Sequence, residues 1–180
     1  EYDNKILSDL TVEEILIKSG NIGSVKIGQM LEIEGLKSFL EKIGVLYKID
    51  FDIEEVGQPI PFRWGKCKLA TASFGHGITT TPLQLAKAYG IISNGGFEIN
   101  PTLIKNKKEN KKKRLIKKKT SDAVNQILRK IVVEGTAKLA NVNGYEVGGK
   151  TGTANKSVKG GYSKKKINTF SSIFPTSNPK

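Results

Sequence analysis

Helix signals come first in this chain and its clearest strand signals come last, an order that favours α+β over alternating β–α units. Thr11-Val12-Glu13-Glu14 fits a capping box and predicts a short helix from about Val12 to Lys18. Ser19-Gly20-Asn21 interrupts it. The next helix carries Ile27, Met30 and Leu31 on one face, with Gly23, Ser24 and Gly28 allowing close packing. Leu36, Phe39, Leu40 and Ile43 then repeat at helical spacing, and Gly44 follows as a stop. Tyr47 to Trp64 reads as irregular, and a short helix is expected over Lys66–Ser73. Thr80 or Thr81 caps a further helix with Pro82 at its first position, and Leu85, Ala88, Tyr89 and Ile92 line one face. Glu98–Lys118 reads as a hairpin, and Ser121–Val133 as an amphipathic helix. A strand running through Tyr145–Gly149 leads into Lys150. Asn155–Lys166 reads as a loose loop, and Ile167–Phe174 as a second strand pairing back antiparallel.

At 180 residues the chain is long enough for one domain with a real core, and no apolar run approaches the length of a membrane span. A single Cys67 excludes an intrachain disulfide and a cysteine zinc site; its expected role is that of a small apolar residue. A single His76 leaves little room for a histidine triad or metal cluster. Acid–base chemistry here would fall to Lys, Ser, Tyr or carboxylates. No metal or other cofactor is called for. The net charge of +13 invites a nucleic-acid reading, but ten of the cations crowd into Lys105–Lys119, where like charges repel and no aromatic interleaves. That run is expected to be a solvated segment, and a basic nucleic-acid-binding module is the rival it leaves.

The chemistry points to Lys150-Thr151-Gly152-Thr153. A cation and two hydroxyls follow Gly148-Gly149, where the strand narrows to backbone, and make a site suited to a carboxylate. Taken singly, Lys150 also reads as one more surface lysine. Ser19-Gly20-Asn21 likewise reads as a turn between helices, since all three residue types favour turns.

Together three stretches go further. Ser19-Gly20-Asn21 matches a Ser-x-Asn signature. Ser73-Phe74-Gly75-His76-Gly77 leading into Thr81-Pro82-Leu83-Gln84-Leu85-Ala86 resembles the Gly-rich turn and helix start of penicillin-binding transpeptidases. Gly149-Lys150-Thr151-Gly152-Thr153-Ala154 matches their Lys-Thr-Gly strand. Order and separation also fit, and the chain resembles class B penicillin-binding proteins along nearly its whole length. The resemblance implies the β-lactamase/transpeptidase-like α+β fold, with helices packed on an antiparallel sheet. It also implies a serine acyl-enzyme D,D-transpeptidase acting on the D-Ala-D-Ala end of peptidoglycan stem peptides, with β-lactams as mimics and other cell-wall synthesis proteins as partners. The place implied is the periplasmic side of the cytoplasmic membrane, behind an anchor not in this chain.

In that resemblance Ser19 relays a proton toward the leaving amine, and Asn21 bonds the acyl chain's amide. Lys150 tunes the field around Ser19. Thr151 and Thr153 bind the substrate carboxylate, Gly152 gives clearance, and the Thr153 N–H is an oxyanion donor. His76 is expected to be structural and Thr79–Thr81 to cap a helix. The family's Ser-x-x-Lys should precede Ser19, and Glu1–Lys18 does not supply it. Ser163/Lys166 and Ser177/Lys180 match the spacing but follow the Lys-Thr-Gly strand, the wrong order. The expectation is therefore a domain portion, 1–180, incomplete at both ends and without acylation activity by itself. A penicillin sensor or β-lactamase of the same fold is the alternative within the family.

Overall fold

The computed structural model describes residues 9–54, 56–105, 113–158 and 161–179. Helix α1 spans Val12–Lys18 and α2 Asn21–Lys42, followed by α3 (Lys66–Ser73), α4 (Pro82–Ser93) and α5 (Lys118–Val133). Strands β1 (Gly148–Val158) and β2 (Gly161–Ile173) close the chain as an antiparallel pair. Their register sets Lys150 opposite Ser171 and Thr151 opposite Phe170. Helices α4 and α5 pack against this pair, α5 on β1 and α4 on β2. The α+β reading holds.

Caps place several helix ends where the sequence puts them. Thr11 and Glu14 form the capping box of α1, and Thr81 and Gln84 that of α4, with Pro82 at its start. Each box satisfies orphan amides at a helix N-terminus. The helix read through Ile27–Leu31 and the one read through Leu36–Ile43 stand as two helical segments within α2, separated at Glu32, whose φ of 58° and ψ of 178° are not helical. The apolar face assigned to the first is not buried: Met30 is 85% exposed and Leu31 also faces solvent. The small residues pack instead. A Cβ on Gly28 would lie 1.8 Å from the Ser73 hydroxyl oxygen of α3, and one on Gly23 would meet Ile15 of α1 at 2.6 Å. Backbone contact at that range leaves no room for large side chains between helices.

On α4 the buried face is turned from the one expected. Gln84, Ala88 and Ile91 are buried, and Tyr89 and Ile92 are only partly so. The helix serves two cores, so no single stripe describes it. Ala88 and Ile91 join Ile43, Val45 and Ile116 in one cluster, and Tyr89 packs on the other, built from Leu128, Ile131, Val132, Ala137 and Ile173. The Gln84 amide is buried because its Nε2 donates to the carbonyls of Val45 (3.1 Å) and Tyr47 (2.6 Å), tying down the turn after α2.

Helix α5 begins at Lys118, a turn earlier than expected. Ser121, read as its start, is instead buried inside it; its hydroxyl donates to the Ile92 carbonyl and accepts from the Gly95 amide. Of the expected hairpin over Glu98–Lys118, the described residues show an antiparallel bridge between Phe97 and Arg114; its centre, 106–112, lies outside them. Two further corrections concern the strands. β1 starts at Gly148, so Tyr145–Val147 precede it, and Asn155–Lys166 is largely strand, continuing the ladder past an irregularity at Asn155/Ser157. Most of β2 is exposed, so no alternation of apolar residues marks it, and the ladder is held by backbone pairing. Cys67 is exposed, not packed as a small apolar residue.

Candidate active site

Two junctions create the site. Ser19 closes α1 in a left-handed conformation, φ 54° and ψ 43°, rare for a residue with a side chain. Its amide bonds the Leu16 carbonyl, and the Gly20 amide bonds that of Ile15 at 2.8 Å, so the last turn of α1 is satisfied while the chain reverses into α2. Asn21 is the first residue of α2 and is half-buried. The turn reading and the functional reading of Ser19-Gly20-Asn21 thus describe one object, a tight turn that presents a serine.

Strand β1 brings the second half. The Lys150 ammonium donates to the Ser19 hydroxyl and, at 2.9 Å, to the Thr151 carbonyl. These partners are 131 residues apart in sequence. Burial pushes the Lys150 pKa down from its ordinary 10.5. A lysine so placed is a half-desolvated cation beside a hydroxyl, able to attract an anion and to exchange a proton with the serine.

Thr151 turns to the other side of β1, as successive strand residues must. Its hydroxyl lies 3.0 Å from that of Thr136, just beyond the end of α5. Thr136 has no counterpart among the sequence motifs, since a lone threonine after a helix carries no local signature. Thr153 is exposed two residues along the same strand face. A Cβ on Gly152 would come 2.5 Å from the Thr169 hydroxyl, so glycine here lets the two strands close up. Among the described residues β1 pairs with β2 alone.

Other marked residues fall away from this centre. The His76 ring lies 4.9 Å from that of Tyr162 and 6.1 Å from that of Phe74, a packing role. Thr79 accepts from the Ile60 amide and Thr81 caps α4. Ser163 and Lys166 lie on strand β2, where a separation of three puts side chains on opposite faces. The Ser177 hydroxyl donates to the Glu146 carboxylate, and Lys180 lies outside the described residues. No group of three His, Cys, Asp or Glu among the described residues could hold a metal ion.

A helical layer on an antiparallel pair, with a strand lysine bonded to the serine of an inter-helix turn, is the frame of a penicillin-recognising transpeptidase domain. Residues 1–180 match the penicillin binding protein transpeptidase domain, and the chain belongs to that family. The probable peptidoglycan D,D-transpeptidase PenA of Neisseria flavescens is 33% identical over 99% of this chain and 46% of its own length. Stage V sporulation protein D of Bacillus subtilis is 34% identical over 94% of the chain and 29% of its own length. The chain thus spans less than half of either relative. Among solved structures, the transpeptidase domain of penicillin-binding protein 3 from Burkholderia pseudomallei superposes with a TM-score of 0.87 at 32% identity, covering 94% of this chain and 54% of that one. Penicillin-binding protein 3 of Mycobacterium tuberculosis, complexed with ampicillin, gives 0.86 at 26% identity, covering 94% and 43%.

Proposed function

We propose that the protein containing this chain is a peptidoglycan D,D-transpeptidase, cross-linking stem peptides through a serine acyl-enzyme in cell-wall synthesis outside the cytoplasm. The observation that carries the reading is the Lys150–Ser19 hydrogen bond beside two strand threonines. Ser19, its hydroxyl polarised by Lys150, would pass a proton to the amine that leaves when the D-Ala-D-Ala bond breaks. Asn21 would hold the acyl chain's amide at the start of α2. The Thr151 and Thr153 hydroxyls would donate to the terminal carboxylate, drawn in by the Lys150 charge. The Thr153 amide would be one of two donors to the oxyanion, and losing one such donor costs about 3 kcal/mol of barrier. β-Lactams, carrying a carboxylate and a strained amide, would enter by the same contacts.

Among the described residues Ser19 is the serine that bonds Lys150, and Glu1–Lys18 carries no Ser-x-x-Lys; in this reading the attacking serine is supplied by a part of the longer protein outside these 180 residues. Labelled penicillin tests both parts. The full-length protein is expected to carry label through denaturing electrophoresis, and the 180-residue chain alone to carry none. An unlabelled full-length protein ends the transpeptidase reading. A labelled 180-residue chain would place the nucleophile inside it. Slow release of label separates a transpeptidase from a β-lactamase.

A further inference from the structure

The Thr136 hydroxyl is held in place by more than its own contact with Thr151. The amides of Gly135 and Ala137 both bond the Ile131 carbonyl, at 3.1 and 3.2 Å, so the chain leaving α5 turns tightly around Thr136. Ala137 is buried in the core. Gly135 is pressed against α1: a Cβ there would come 2.7 Å from the Ile17 carbonyl oxygen, two residues before Ser19. The turn is therefore clamped between α1 and the core while its one free side chain reaches β1.

A threonine hydroxyl has one proton and two lone pairs. Thr151 can give its proton to a carboxylate or to Thr136, not to both. Among the described residues the Thr136 hydroxyl bonds Thr151. If Thr136 donates, it occupies a Thr151 lone pair and leaves the Thr151 proton for the substrate carboxylate. A hydroxyl that accepts one bond also donates a stronger one. We propose that Thr136 is a positioning residue which sets the direction of the Thr151 hydroxyl and thereby strengthens recognition of the substrate's terminal carboxylate. Lys150 and Thr151 are then braced from opposite faces of one strand, Lys150 by the end of α1 and Thr151 by the end of α5.

This rests on the transpeptidase reading, and the test separates the two. Acylation rate constants of the full-length protein are measured with a penicillin bearing its free carboxylate and with the methyl ester of the same penicillin. In Thr136→Val the methyl replaces the hydroxyl at nearly constant volume. The free acid is expected to react about five- to tenfold more slowly, as loss of one hydrogen bond allows, and the ester at the wild-type rate. Thr136→Ser, which keeps the hydroxyl, is expected to restore the acid-to-ester ratio. Because the ratio is taken within each variant, a loss of folded protein cancels. An unchanged ratio in Thr136→Val, whether both rates fall together or neither does, overturns the proposal and leaves Thr136 a staple between α5 and β1. A wild-type protein acylated by neither compound removes the transpeptidase reading and this proposal with it.

Discussion

Lys150 combines a charge, a half-buried position and a hydroxyl partner brought from the far end of the chain, and each has a measurable consequence. Burial disfavours its protonated form, so its folded-state pKa lies below the 10.5 of the unfolded chain. Between those two values the unfolded state binds more protons, and stability rises with pH. At lower pH the charge is present in both states and folding bears its desolvation. Lys150→Met keeps the length and removes the charge. The stability of the full-length methionine variant relative to wild type is expected to be most favourable near neutral pH and to shrink as pH climbs toward 10.5, by chemical unfolding at several pH values. A difference independent of pH would mean an unshifted lysine. The same variant should lose penicillin acylation by a hundredfold or more, in the range for removal of a proton-transfer group.

Helix α2 shows why an apolar stripe can mislead. Ile27, Met30 and Leu31 recur at helical spacing, yet the side that meets α3 is the one bearing Gly28. Gly28→Ala would press a methyl into the Ser73 side chain, whose Cβ also lies within 2.7 Å. Overpacking of this kind costs about 1–3 kcal/mol, read as a lower denaturant midpoint with an unchanged slope. Adding Ser73→Gly leaves only the residue-73 Cα, at 3.8 Å, and should return part of the loss. Strict additivity of the two changes would mean that the helices do not approach as described. The β1–β2 hairpin errs the other way. Its outer half carries lysines and glycine with no buried face, so side-chain pattern was silent where the ladder continues.

The site exists only because α1, α5 and β1 meet. Gly135, just past the end of α5, has no room for a side chain: a Cβ there would come 2.7 Å from the Ile17 carbonyl oxygen of α1 and 2.9 Å from the Ile131 backbone, straining the turn that carries Thr136 against α1. Gly135→Ala is expected to destabilise the full-length protein by about 1–3 kcal/mol, as Gly28→Ala does. Its effect on acylation should be much larger than that of Gly28→Ala at matched destabilisation, because the displaced helix ends brace Lys150 and Thr151. Equal activity losses would show that the site tolerates movement of α1 against α5. The two apolar clusters share α4, and the buried Ser121 hydroxyl bonds α5 to the end of that helix.

Much of this was legible in the chain itself. The capping boxes of Thr11 and Thr81, Pro82 at a helix start and the run through Lys150 are local events, set by hydrogen bonds and torsions spanning a few residues. Ser19-Gly20-Asn21 and Lys150-Thr151-Gly152-Thr153 are visible in the sequence as short motifs, and the structure brings Lys150 to Ser19. What the sequence could not decide was contact between distant stretches. The bond from Lys150 to Ser19 spans 131 residues, and nothing local selects that serine. Thr136 became visible only when β1 came to lie beside the end of α5. The two-core burial of α4 and the paired outer hairpin have the same origin. Local propensity chooses elements, while backbone approach and shared burial choose which faces meet, and those energies belong to pairs of elements brought together by the fold.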